Sequence, residues 1–172
     1  MITKLSAIPH TTFPYDFMPY LPASAILKNG KDEARVVFFG EHAYQKIWGP
    51  ASDRRMIDLR DVAEVSQSES QLLPEFANQL YQGGENSMGG TYFCLSMKDG
   101  KLFYYQLGGI LDFVVYPVGY GMHDVSGVKK GIPWQTKLEV KDRIPPVPDY
   151  AWCLFEEPSD IAKRVKIESP KL

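Results

Sequence analysis

Ser87, His123, Asp112 and Asp124 are the side chains whose types would serve nucleophilic chemistry if the fold brought them together. In that chemistry a serine attacks, a histidine takes its proton and a carboxylate orients the ring. Ser87 lies in Gly83-Gly84-Glu85-Asn86-Ser87-Met88-Gly89-Gly90, where two glycine pairs bracket a polar tetrad. A nucleophile elbow needs glycine on both flanks of x-Ser-x, and here Glu85 stands two places before the serine. The loop also lacks both phosphate-binding glycine signatures, and it follows a predicted helix instead of opening one. His10, His42 and His123 lie far apart without a helical pair of ligands, so neither a metal nor a cofactor is expected. A small hydrolase or transferase using loop 83–90 is therefore the alternative reading. The leading one gives Glu85, Asn86 and Ser87 structural bonds or contact with a partner.

Asp112 interrupts the apolar run Ile110 to Val115. A carboxylate there must sit at an edge or be hydrogen-bonded, and it joins the candidate partner-binding residues with Tyr120 and Asp124. Tyr15 and Tyr20 are further aromatic candidates.

The chain has 172 residues, 44% of them hydrophobic and 23% charged, which suits an ordinary globular domain with a sizeable core. Its 19 basic and 21 acidic residues exclude the basic excess that nonspecific nucleic-acid binding requires. No apolar stretch reaches the length of a membrane span, and the N-terminus lacks a signal core, so neither nucleic acid nor membrane is an expected partner. Cys94 and Cys153 each sit in an apolar run and read as buried free thiols of a cytoplasmic protein.

The elements that must position these residues follow from punctuation and periodicity. Pro9, Pro14, Pro19 and Pro22 interleave with aromatics, so residues 9–22 should run as an extended arm. That arm covers the domain's own core or, alternatively, makes a homodimer. Strands are expected at Ala23 to Leu27 and Arg35 to Phe39 around an Asn29-Gly30 turn, and near Met56 and Val62 to Val65. A helix runs from Glu41 to Trp48, closed by Gly49-Pro50, and a second starts at Pro74 and stops at Gly83-Gly84 in a left-handed cap. Asp99-Gly100 fits a two-residue type I′ turn, which pairs Met97 with Leu102 and Leu95 with Tyr104 in a buried hairpin. Ile110 to Tyr116 would complete a meander over 91–116. Val125 and Val128 mark a short edge strand, Tyr150 to Phe155 a late strand, and Ser159 caps a terminal helix. No internal repeat stands out. The expectation is one α+β domain over residues 1–172, with a mainly antiparallel central sheet and two or three short helices.

The run Leu73-Pro74-Glu75-Phe76-Ala77, the Gly83 to Gly89 loop, Asp99-Gly100 and Asp112-Phe113 resemble small bacterial proteins similar to immunity proteins of polymorphic-toxin and type VI secretion systems. The Gly-Gly loop feeding Tyr92-Phe93-Cys94-Leu95 and Lys101-Leu102-Phe103-Tyr104-Tyr105 resembles the SUKH type. The likeness spans residues 35–128, and the C-terminal part departs from it. What it implies is a cytoplasmic, non-enzymatic module that neutralises a cognate toxin by binding it. It transfers no functional residue.

Overall fold

The structure, a computed structural model, describes residues 2–12, 21–50, 54–131 and 148–156. The described backbone is α+β, with three helices and eight strands in two mainly antiparallel sheets. It gathers into two compact units, Met1–Ser68 with Tyr150–Leu172, and Glu69–Asp149. Most of the proline-aromatic arm, with Tyr15 and Tyr20, and the helix expected from Ser159 lie outside the described residues.

In the first unit, β1 (Leu21–Leu27), β2 (Asp32–Gly40), β3 (Met56–Ile57), β4 (Val62–Ser66) and β8 (Ala151–Phe155) form a sheet ordered β3-β8-β2-β1-β4. The run Val36-Val37-Phe38-Phe39 is fully buried, as a continuous apolar segment in a central strand should be. The late strand β8 pairs parallel to β2, Val37 opposite Trp152 and Phe38 opposite Cys153. Pro22 is tolerated because it lies near the start of β1, before the Ser24 position where pairing with β4 begins. Two helices, α1 (Ile2–Ser6) and α2 (Glu41–Trp48), pack on this sheet; α2 has the bounds its glycine stop predicts, and His42 on it is exposed.

The second unit opens with α3 (Pro74–Gln82), which buries Ala77, Leu80 and Tyr81. Within the expected Gly83-Gly84 cap the left-handed residue is Gly84 (φ 64°), while Gly83 keeps helical angles. The central strand β5 (Thr91–Met97) stands between β6 (Leu102–Leu107) and β7 (Val125–Lys130). The expected meander is thus corrected: β7 takes the third place, not Ile110 to Tyr116. That segment is core all the same, with Phe113 and Val114 fully buried. Its backbone bonds the stretch before α3, Leu72 N to Asp112 O at 2.8 Å and Val114 N to Ser70 O at 2.9 Å, and also bonds the side-chain hydroxyls of Tyr81 and Tyr105.

The hairpin register is also corrected by one residue. Leu95 faces Phe103 and Ser96 faces Leu102. The loop has three residues: Met97 N donates to Lys101 O at 2.9 Å and Gly100 N to Met97 O at 2.9 Å. A type I′ turn would put Asp99 at positive φ, and no non-glycine residue among those described adopts it; within the turn Gly100 carries φ 86°. This is the type I turn followed by a left-handed glycine, which shifts pairing by one.

The same loop closes the other hairpin. Leu27 N donates to Lys31 O at 2.8 Å, Gly30 N to Leu27 O at 2.9 Å, and Gly30 has φ 82°. Each loop then leans on a 3₁₀ turn: Lys28 N donates to Asp61 O and Lys98 N to Asp124 O, both at 2.8 Å. Those turns, Leu59–Asp61 and Met122–Asp124, lead into β4 and β7. Both strands pair the central one with a register shift one step before the hairpin loop, at Leu27 opposite Val62 and at Met97 opposite Val125. Each unit therefore carries one copy of a three-stranded substructure. Sequence retains it as Leu27-Lys28-Asn29-Gly30-Lys31 against Met97-Lys98-Asp99-Gly100-Lys101, and Leu59-Arg60-Asp61-Val62 against Met122-His123-Asp124-Val125. The expectation of no repeat is overturned.

Candidate functional site

Loop 83–90 is held by its own polar groups. The Asn86 amide completes both backbone groups of Tyr92, donating to its carbonyl at 2.8 Å and accepting from its N–H at 2.7 Å. Asn86 thereby acts as a stub of strand beside β5, sharing the Tyr92 carbonyl with the Gly131 N–H, which donates to it at 2.7 Å. Ser87 and Gly90 exchange backbone bonds at 3.2 and 3.3 Å, and the Ser87 hydroxyl donates to Gly90 O at 3.0 Å. Glu85 is exposed, and the Met88 side chain projects wholly into solvent at the tip.

This geometry does not assemble a serine triad. Gly90 precedes β5 at Thr91, whereas His123 precedes Val125, which pairs Met97 at the far end of that strand. Seven extended residues separate the two ends by about 20 Å. Asp112 is 1% exposed and accepts the Tyr81 hydroxyl at 2.6 Å, so its hydrogen-bonded structural role holds and it leaves the set of partner-contact residues. Asp124 also works locally: its Oδ2 accepts from Gly121 N at 2.8 Å and fixes the 3₁₀ turn that supports the hairpin loop.

Tyr120 is brought to the tip of the β5–β6 hairpin, and there an exposed, hydrogen-bonded cluster forms. Its hydroxyl donates to Asp99 Oδ2 at 2.7 Å and accepts from Lys101 Nζ at 2.6 Å, while Lys101 and Asp99 pair at 3.2 Å. The ammonium lies 5.3 Å from the ring centroid, a distance that with the short oxygen contact puts it at the hydroxyl rim. The hydrogen bond is therefore the main attraction, not the ring face. The Tyr120 hydroxyl, then Lys101, hold the Asp99 carboxyl below its ordinary range, and the same contacts raise the Lys101 ammonium. Phe103 meets Tyr120 edge to face at 5.2 Å. Around this framework Leu102 is 52% and Val118 102% exposed.

Tyr120 and Asp124 thus stand with the hairpin tip, apart from loop 83–90. Asp99, Lys101, Leu102 and Phe103 are missed by sequence reasoning because Lys98-Asp99-Gly100-Lys101 is fully accounted for as a turn. Cys94 and Cys153 are free and buried in different sheets, and burial pushes the Cys153 thiol up to about 12. Among the described residues no cluster of His, Cys, Asp or Glu could hold a metal, and no helix is long and apolar enough to cross a membrane. Compared with protein-family models, with curated proteins and with solved structures, the chain matches none.

Proposed function

We propose that this protein is a non-enzymatic binding module that neutralises another protein by covering part of its surface, as a cytoplasmic immunity protein does to its cognate toxin. The observation that carries the reading is the Tyr120 cluster. A tyrosine held by Asp99, Lys101 and Phe103 is preorganised, so little side-chain entropy is lost when a partner docks. Exposed Leu102 and Val118 flank it and offer apolar area next to charged groups, the composition of an interface centre with a polar rim. Asn86 and Ser87 of loop 83–90, by contrast, are taken up in local bonds.

The test is co-expression with the protein encoded beside its gene, followed by size-exclusion chromatography and a growth assay. The expected result is a stable complex that abolishes toxicity. Tyr120→Ala with Leu102→Asp should weaken the complex at least tenfold while the protein stays folded. A neighbouring product that neither binds nor is neutralised would overturn the reading.

A further inference from the structure

Three aromatic rings of the first unit surround a single cation, each within 5.4 Å of it. Tyr44 and Trp48 lie one turn apart on α2 and so share a face, and Trp152 comes from β8. Their centroids form a nearly equilateral triangle: 5.2 Å for Tyr44–Trp48, 5.1 Å for Tyr44–Trp152 and 5.2 Å for Trp48–Trp152. The rings are inclined to one another by 49°, 73° and 57°, so they stand as walls instead of stacking. Cζ of Arg54 lies 5.4, 5.3 and 5.4 Å above Tyr44, Trp48 and Trp152. Phe39 backs two of the walls, at 5.7 Å from Trp48 and 6.4 Å from Trp152.

An arginine lying on apolar surface is common, and one ring contact would need no further account. Convergence of three rings on one guanidinium is different, because a cation within about 6 Å of each centroid is drawn by all three quadrupoles at once. The neighbouring arginine sharpens the contrast: Arg55 pairs with buried Glu33, whereas Arg54 turns to the rings. Arg54 is itself exposed, on the approach to the two-residue strand β3, so its head group can leave without opening the core.

We propose that Tyr44, Trp48 and Trp152 form a binding cage for a guanidinium head group, which Arg54 occupies as the chain's own exchangeable ligand. The site goes beyond the toxin-binding reading and stands independently of it. Guanidinium suits the cage better than ammonium because it is planar and more weakly hydrated. A small guanidinium compound and an arginine side chain of another protein offer the same head group.

The experiment uses the full chain with Arg54→Ala, and Arg54→Gln as a variant that keeps the aliphatic stem, both checked for folding by circular dichroism. Tryptophan emission is titrated at constant ionic strength with methylguanidinium, with N-acetyl-arginine amide, and with methylurea as the neutral planar analogue. Saturable change with methylguanidinium is expected in the variants, at a half-saturation at least tenfold below wild type, and lost when Trp48→Leu is added. Methylurea should give no saturation. An arginine amide that binds tenfold tighter than methylguanidinium identifies a peptide arginine as the ligand, and equal binding a small compound. A folded variant without a saturable response, one that responds equally to methylurea, or one that saturates where wild type does would overturn the proposal.

Discussion

The Tyr81 hydroxyl donates to Oδ2 of Asp112 at 2.6 Å while accepting the backbone N–H of Leu111 at 2.9 Å, tying the end of α3 to a buried carboxyl. Burial raises that carboxyl from its ordinary 3.8 to about 7, against the opposing pull of the Tyr81 bond. The unfolded chain therefore releases the proton near pH 4 and the native chain only near pH 7. Between those values the native state binds more protons, so stability falls as pH rises and levels off above 7. Asp112→Asn keeps an acceptor for Tyr81 and removes the titration. Urea denaturation of both proteins should show the variant gaining on wild type from pH 4 to pH 8, by about 4 kcal/mol at most. Parallel pH profiles would show that Asp112 is not the group responsible.

The duplicated hairpin loops make a paired prediction. A Cβ on Gly30 or on Gly100 would meet nothing within 4 Å, so alanine there is opposed only by the positive φ of 82° or 86°. Gly30→Ala and Gly100→Ala should each cost about 1–2 kcal/mol. Asparagine, which visits the left-handed region more readily, should cost less at both. Chemical denaturation that finds one loop tolerant and the other not would contradict their equivalence.

Gly90 is constrained by space instead. A Cβ there would lie 2.5 Å from the Leu107 carbonyl oxygen, a backbone atom of β6. Gly90→Ala must push apart the start of β5 and the end of β6, where Thr91 faces Leu107. A loss of about 1–3 kcal/mol is expected. Amide hydrogen exchange should quicken at Thr91 and Leu107 and stay unchanged near Met97, at the other end of the strand.

Much of this architecture is legible in the sequence where one residue type admits a single reading. Gly49 and Pro74 bound α2 and α3, and the unbroken apolar run of β2 announces a buried strand. The hairpin register is not legible, because Asp99-Gly100 suits both a two-residue loop and a three-residue one, which differ by one step of pairing. The repeat is hidden for another reason: only the loop and 3₁₀ residues recur, and in the strands between them the buried pairs Ala23 and Ala25 against Phe93 and Leu95 share burial but not identity. The parallel pairing of β8 with β2 joins segments distant in sequence, which local patterns do not encode. At the hairpin tip Tyr120 is recognisable by type, while its partners Asp99 and Lys101 emerge only when a turn from elsewhere in the chain delivers the hydroxyl between them.

Tyr120→Phe separates what that hydroxyl does from what the ring does. The ring contact with Phe103 stays, and both charged partners lose the hydroxyl. Because the tip is exposed, global stability should change by less than about 1 kcal/mol. The Asp99 carboxyl should move up toward its ordinary value of 3.8, since Tyr120 is the largest cause of its depression. An NMR pH titration of the Asp99 side chain reads this directly. Partner binding should fall less for Tyr120→Phe than for Tyr120→Ala, because the apolar ring still fills its place on the surface. Equal losses for the two variants would show that the partner reads the hydroxyl and its ion pair, not the aromatic face.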